Sequence, residues 1–260
     1  MNTARFATLL ALAAVIAAPA LAEDLALPAL YKILAEKNHY PAAEGLKDAQ
    51  ADVKCNILDQ LVAAFPDAAG KPISVKYVWS KPGADAAPTK KFVVSGIPEA
   101  LTDLSNRAGA TFKEAEDFVV ADPVYWTIAN TDAKAGNEAG KITVMGAAKS
   151  ASDPIKKLMV DIDGASYQVR KMDMDLGQAH VVIEQSGKDL GGKWGIETTT
   201  VSYPQYKKVL KFEYAQVDGF WLPAKITIDY NAPDGKSLQP TFLYEFSNWQ
   251  VNKGLPPGTF

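Results

Sequence analysis

Residues 207–231 read KKVLKFEYAQVDGFWLPAKITIDYN, and their pattern is the clearest indication of the fold. Apolar residues alternate with polar ones on both sides of the pair Asp218-Gly219. These apolar positions are Leu210, Phe212 and Tyr214 before the pair, and Ile226, Ile228 and Tyr230 after it. Because successive side chains of a strand point to opposite faces, each half predicts a strand with one apolar face. Asp-Gly is typical of a tight hairpin turn, so the segment predicts two antiparallel strands.

Further alternating runs lie on both sides of this hairpin. In chain order they cover residues 142–145, 158–169, 181–183 and 242–246. Asp163-Gly164 and Pro233-Asp234-Gly235 supply turns between them. Successive hairpins of this kind build one antiparallel meander. The glycine-rich excursion within residues 184–205 receives no assignment.

The N-terminal half mixes helical and extended patterns. Residues 27–39 carry apolar residues at spacings of three and four, which predicts an amphipathic helix. Residues 46–65 fit either a strand or a helix. We favour a strand there, because residues 73–79 alternate like its hairpin partner. Residues 92–94 predict another short strand.

A second helix is predicted from Pro98 to about Phe118, with an interruption at Gly109. Residues 119–140 receive no assignment. Two helical segments among about ten strands predict an α+β, mainly β fold. We expect a strongly curved antiparallel sheet, an incomplete barrel whose open side the helices cover, as one domain over residues 23–260.

Residues 1–22 have the features of a secretory signal peptide. Arg5 supplies a positive charge, residues 6–18 form an apolar run, and Ala20-Leu21-Ala22 offers the small residues of a cleavage site. We expect cleavage after Ala22 and a location in the periplasm. A buried N-terminal helix is the alternative reading of this segment.

The composition argues against several function classes. The 27 Lys and Arg residues are balanced by 30 Asp and Glu residues and form no basic stripe, so we expect no nucleic-acid partner. Cys55 is the single cysteine, so no internal disulfide can form. After residue 22 no run is long and apolar enough for a membrane-spanning helix, so an integral membrane protein is not expected.

Residues that could perform catalysis or bind metal lack the necessary spacing. His39 and His180 show no paired metal-ligand spacing, and Cys55 fits a small buried residue on an apolar strand face. Two carboxylate pairs lack the remaining ligands of a calcium loop; they are Asp161 with Asp163, and Asp173 with Asp175. We therefore predict no catalytic residue, no metal site and no cofactor, and a protein that is not an enzyme.

Aromatic and branched side chains are concentrated on the apolar strand faces. A curved sheet that does not close leaves a concave apolar face, which suits a hydrophobic ligand. A packed core is the alternative for the same residues, and the sequence leaves both open. The predicted ligand-binding set is Val75, Tyr77, Trp79, Phe92, Val94, Tyr167, Phe212, Tyr214, Ile228, Tyr230, Phe242 and Tyr244.

Several segments resemble one group of exported proteins. They are Lys81-Pro82-Gly83 before Lys91-Phe92-Val93-Val94, residues 218–223 (DGFWLP), 233–235 (PDG), 246–249 (FSNW) and 251–256 (VNKGLP), and Phe260. With the short N-terminal helix and the alternating strands, the chain resembles the LolA-like family. That family includes the outer-membrane lipoprotein carrier, lipoprotein-sorting proteins and the RseB-type sensor.

The resemblance implies an antiparallel half-barrel with helices over a hydrophobic cavity, which in the lipoprotein carrier shelters acyl chains. It also implies an arginine in an early strand that helps to hold the helical lid. This chain departs from that pattern, because its arginines after residue 22 are Arg107 and Arg170.

We therefore predict a non-catalytic periplasmic carrier or chaperone that binds a lipoprotein acyl chain or another lipid in a hydrophobic cavity. Such a protein would act in transport and lipoprotein localisation in the cell envelope. The alternative is an RseB-type interaction or sensor module without a transported ligand, with a membrane-anchored envelope partner.

Overall fold

A computed structural model describes residues 23–68, 70, 72–83, 86–138, 140–256 and 259 of the chain. The predicted signal peptide, residues 1–22, lies outside the described residues. Thirteen strands of the described part form one antiparallel sheet, and four α-helices accompany them. The fold is therefore α+β and mainly β, as predicted, with more strands than the ten expected.

The elements are bounded as follows. The strands are β1 (Glu23–Leu25), β2 (Asp48–Cys55), β3 (Ser74–Ser80), β4 (Thr89–Ser95), β5 (Thr131–Glu138), β6 (Lys141–Ala148), β7 (Lys157–Asp163), β8 (Val169–Asp175), β9 (His180–Asp189), β10 (Trp194–Ser202), β11 (Lys207–Val217), β12 (Phe220–Asn231) and β13 (Phe242–Val251). The helices are α1 (Leu27–Lys37), α2 (Asn56–Ala63), α3 (Thr102–Val119) and α4 (Val124–Ala129), with a 3₁₀ turn at Pro66–Ala68. The sheet order is β1-β5-β6-β7-β8-β9-β10-β11-β12-β13-β2-β3-β4. Because β1 and β4 are its two edges, the sheet is open.

The predicted hairpin is the pair β11–β12. Leu210 lies opposite Ile228, and both side chains are fully buried. Asp218 and Gly219 both take positive φ angles at the turn, a conformation that glycine adopts without strain and aspartate tolerates. From β5 to β13 each strand pairs with the next along the chain, which confirms the meander.

The region 46–65 divides into a strand and a helix. The prediction of a strand is correct for β2, whose Val53 lies opposite Val75 of the expected hairpin partner. It is wrong for residues 56–63, which form α2. Asn56 explains the change, because its side chain donates to the Thr241 carbonyl and accepts from the Leu243 N–H, holding the start of α2 against β13.

Helix α3 runs without a break through Gly109, so the predicted interruption is wrong. Gly109 lies on the exposed side of the helix, with open space where a Cβ would stand. Ala108 and Phe112, on the other side, are buried. A glycine inside a helix costs about 1 kcal/mol, less than the burial of the apolar side contributes.

Both unassigned regions belong to the sheet. Residues 119–140 contain α4 and β5. The strand alternation of β5 is not recognisable in the sequence, because its buried positions are the small residues Thr131 and Ala135. The excursion at 184–205 is the greater part of the β9–β10 hairpin, with a register shift between Ile196 and Thr198.

The helices divide the buried side chains into two clusters. The larger core joins α2 and α3 to β2, β3 and β9–β13. The smaller core joins α1 and α4 to β5–β8, with Leu30 and Leu34 of α1 fully buried. We call the boundary between these clusters the seam.

Candidate functional site

The predicted ligand-binding set is brought together on one face of the sheet, with a single exception. Eleven of its twelve members belong to the larger core or pack against it. Tyr167 instead packs against the smaller core, at a positive φ angle in the turn before β8. Tyr77, Trp79, Ile228 and Tyr244 are 0 % exposed.

Helix α3 lies directly on this aromatic face. The ring of Phe112 has its centroid 5.0 Å from that of Phe92 and 5.9 Å from that of Tyr244. The Tyr244 hydroxyl donates a 2.7 Å hydrogen bond to the Thr111 carbonyl of the helix. The aromatic face is thus packed beneath α3.

A polar cluster fastens the half-buried flank of α3 to the sheet. The Glu114 carboxylate accepts hydrogen bonds from the Tyr230 hydroxyl at 2.6 Å and from the Lys208 ammonium at 2.9 Å. Lys208 also donates to the Glu114 carbonyl at 3.1 Å and lies 5.0 Å from the Phe118 ring centre. We call Glu114, Lys208 and Tyr230 the latch.

Electrostatics favour the ionised form of Glu114 in the latch. Burial works to raise the pKa of Glu114, but the hydrogen bonds from Tyr230 and Lys208 outweigh it and hold the pKa below its ordinary value. Burial, followed by the hydrogen bond to Glu114, raises the pKa of Tyr230. Tyr230 therefore stays a neutral donor and Glu114 an anionic acceptor.

A cavity of about 300 Å³ lies at the seam, where the C-terminal part of α3 and the residues after it face β8–β10. We call it the seam cavity. Its apolar walls come from both cores and include Phe118, Val124, Val169, Met172, Ile183 and Ile196. Its polar lining includes Asn38, His39, Lys90, Asp117, Asp122, Gln168, Gln185 and Ser186. None of these residues belongs to the predicted ligand-binding set.

Two buried polar side chains at the seam, His39 and Asn38, form hydrogen bonds with other parts of the chain. The His39 Nε2 donates a 2.6 Å hydrogen bond to the Trp221 carbonyl, and its Nδ1 lies 3.0 Å from a carboxylate oxygen of Glu44. Lys193 approaches the same oxygen at 3.2 Å. The Asn38 side chain donates to the carbonyls of Leu34 and Tyr167. These bonds tie the α1–β2 connection to β12 and to the turn before β8.

The remaining residues with reactive side chains lie apart. His180 is on the outer face of the sheet, with its Nε2 2.6 Å from an Asp173 oxygen. Cys55 is buried, and burial raises the pKa of its thiol, which disfavours the nucleophilic thiolate. Among the described residues, no three His, Cys, Asp or Glu side chains are grouped to hold a metal ion. No helix in the described part has the length and apolar character needed to cross a membrane.

The outer face carries a wider, shallower depression. Its volume is about 860 Å³, and it lies across β5–β9 on the side away from the helices. Met145, which is 64 % exposed, lies opposite Met159 at its centre. Charged and polar residues surround these methionines; they are Asp132, Lys134, Lys157, Asp173, Asp175 and His180.

No family model matches this chain, and no curated protein matches it. Three solved structures are similar to it. One, from Vibrio parahaemolyticus, is described as an outer membrane lipoprotein-sorting protein domain, with 9 % identity, a TM-score of 0.33, and coverage of 88 % of this chain and 93 % of that one. A DUF1329 family protein from Desulfovibrio piger has 11 % identity, a TM-score of 0.31, and coverage of 88 % and 95 %.

The third is a LolA superfamily protein from Nitrosomonas europaea, with 9 % identity, a TM-score of 0.31, and coverage of 89 % and 96 %. TM-scores of this size mean that the backbones overlap only loosely, so the function has to be inferred from this chain's own geometry.

Proposed function

We propose that the protein is a non-catalytic carrier of the periplasm that shelters the acyl chain of a lipid or lipoprotein between α3 and the aromatic face of its sheet. The position of α3 is the observation that carries this proposal. The strands are joined by continuous backbone ladders, whereas α3 is held to them by side chains, chiefly by Phe112 and the latch. Displacing α3 therefore requires less free energy than separating the strands, so a ligand can enter beneath this helix.

The exchange of α3 for a ligand is energetically reasonable. An acyl chain gains roughly 0.8 kcal/mol for each methylene that it buries, so a long chain can replace the apolar contacts that α3 gives up. When α3 moves, Glu114 and Lys208 become hydrated, which offsets the loss of their ion pair. The open sheet needs no change in its strand pairing.

A buried polar atom on the aromatic face supports an acylated ligand. The indole N–H of Trp79 is buried and has no hydrogen-bond partner among the described residues. A buried donor without an acceptor lowers the stability of the fold by about 1–3 kcal/mol. The carbonyl of an ester or amide supplies the missing acceptor, which a purely apolar ligand does not.

Lipid extraction and mass spectrometry of the protein purified from the periplasm test this function. We expect a co-purified acylated molecule, and saturable binding of a fluorescent acyl-chain probe once that molecule is removed. The variant Lys113→Ala, on the exposed side of α3, is the matched control and should bind the probe normally. A lipid-free protein that takes up no probe contradicts the proposal.

The outer depression around Met145 favours a second function, that of an interaction module. In that case the inner face is only a core, and the methionines contact a partner protein. For such a module, Met145→Glu abolishes the biological role, and neither the wild type nor this variant binds the probe. For the carrier we expect the opposite, normal probe binding by Met145→Glu.

A further inference from the structure

The seam cavity differs from the aromatic face in having one strongly polar wall. Gln168 lines it, is 4 % exposed, and its Oε1 has no hydrogen-bond partner among the described residues. An unpaired buried carbonyl oxygen destabilises a protein, and such atoms are rare in folded chains. The unpaired oxygen is therefore an acceptor that a donor on a ligand can satisfy once the Gln168 amide turns towards the cavity.

The backbone around Gln168 leaves room for its amide. A Cβ on Gly187 of β9 would stand 3.0 Å from the Gln168 Nε2 and 3.1 Å from the Gly195 carbonyl oxygen. Any side chain at residue 187 would push against both groups. The glycine thus permits a polar side chain to lie flat against the sheet at the seam.

The charges at the rim of the cavity disfavour an anion. The Lys90 ammonium lies 3.2 Å from an Asp117 oxygen and 2.9 Å from an Asp122 oxygen. One cation is thus already shared by two carboxylates, which leaves the rim with an excess of negative charge. A carboxylate or phosphate on a ligand would be repelled there.

The cavity also lies at one end of the proposed acyl-chain site. Phe118 belongs both to its wall and to the residues packed against the larger core, and α3 ends at Val119. An alkyl chain beneath α3 would therefore place its polar end at the seam. A volume of about 300 Å³ is at the lower limit for small-ligand sites, and suits a head group better than a whole lipid.

We infer that the seam cavity binds the head group of an amphiphile, and that this head group is not anionic and donates a hydrogen bond to Gln168. A primary amide, a hydroxyl group and an ammonium group share this chemistry. The inference rests on the proposed function and narrows its ligand, because it excludes free fatty acids as the preferred cargo.

Three probes with eight carbon atoms each test the inference: octanamide, octylamine and octanoate. Their dissociation constants are measured on the full chain, after removal of bound lipid, by displacement of the fluorescent acyl-chain probe. We expect octanamide and octylamine to bind at least about 10-fold more tightly than octanoate, a difference of about 1.4 kcal/mol.

The variant Gln168→Leu separates a binding role from a structural one. It replaces the unpaired amide by an apolar group of similar size, so the urea midpoint should stay unchanged or rise. The affinity for octanamide should fall about 10-fold, while that for octanoate stays the same. Gln216→Leu, at an exposed position of β11, is the matched control and should change no affinity.

The outcomes distinguish the two proposals. If the acyl-chain probe binds but octanoate binds as tightly as octanamide, or if Gln168→Leu leaves their ratio unchanged, the head-group inference is wrong and the carrier function stands. If neither the acyl-chain probe nor any of the three amphiphiles binds, both are wrong. A lower urea midpoint for Gln168→Leu with unchanged affinities would identify Gln168 as a structural residue and would also overturn the inference.

Discussion

The Tyr230 hydroxyl donates a 2.6 Å hydrogen bond to the Glu114 carboxylate, and this bond joins β12 to the middle of α3. Lys208 of β11 completes the latch from the neighbouring strand with its ammonium 2.9 Å from the same oxygen. In the proposed carrier, α3 is therefore held by side chains from β11 and β12 together.

Breaking the latch should lower stability and raise ligand uptake together. We expect Glu114→Gln to lower the free energy of unfolding by about 1.5–3 kcal/mol, since a hydrogen-bonded charge is lost beside a buried lysine. Tyr230→Phe should cost about 0.5–1.5 kcal/mol. Urea denaturation and probe titration measure both effects. The exposed pair Asp103–Arg107 on the same helix is the control, and Asp103→Asn should cost less than about 1 kcal/mol. A stable Glu114→Gln variant would contradict the latch.

The contribution of Glu114 to stability should depend on pH. Its pKa is lowered in the folded state from an ordinary value of 4.5, so the unfolded chain takes up a proton more readily. A lowered carboxyl pKa stabilises the fold above the unfolded pKa, and this stabilisation is lost as the pH falls through the folded value. The difference in urea midpoint between the wild type and Glu114→Gln should therefore be constant from pH 7 to about 5 and shrink below about 4.5. A difference that grows on acidification would have the wrong sign.

Phe112→Ala tests whether α3 moves independently of the sheet. Truncating a fully buried phenylalanine in a rigid core costs about 3–5 kcal/mol. If α3 is displaceable, the global loss should be smaller, because the helix loosens locally, and probe uptake should increase. Ile162→Ala in the smaller core is the control and should cost about 2–5 kcal/mol with no change in uptake. If Phe112→Ala lowers the free energy of unfolding by the full value of about 3–5 kcal/mol and no probe binds, the aromatic face is a packed core.

The two histidines should differ in their effect on stability, and His180 should not be needed for binding. His39→Ala removes the donor to the Trp221 carbonyl and leaves that carbonyl without this bond, so we expect a loss of about 1–3 kcal/mol. The His180 side chain is 61 % exposed, and His180→Ala should stay within about 0.5 kcal/mol of the wild type. Probe titration of the His180→Ala variant checks the second part. Loss of binding by a stable His180→Ala variant would count against a non-catalytic carrier.

The meander could be predicted from the sequence alone. Alternation at Leu210, Phe212 and Tyr214, the Asp218-Gly219 turn and the returning strand are local properties, since a period of two and a positive-φ pair need no distant partner. Helix α1 could be predicted in the same way, and so could the shared burial of the apolar strand residues other than Tyr167, because burial follows from apolar spacing.

Features that depend on residues far apart in the chain could not be predicted in this way. The Asn56 side chain bonds to Thr241, just before β13, and to Leu243 within it, and these bonds hold the first residue of α2. The burial of Ala108 and Phe112 keeps α3 helical through Gly109. The latch joins Glu114 to Tyr230, and the seam cavity gathers Lys90, Gln168 and Gly187 from separate strands and turns. No local pattern encodes these positions, because a polar residue in a strand looks the same in sequence whether it faces water or a cavity. Its environment is set by which elements the fold brings against it.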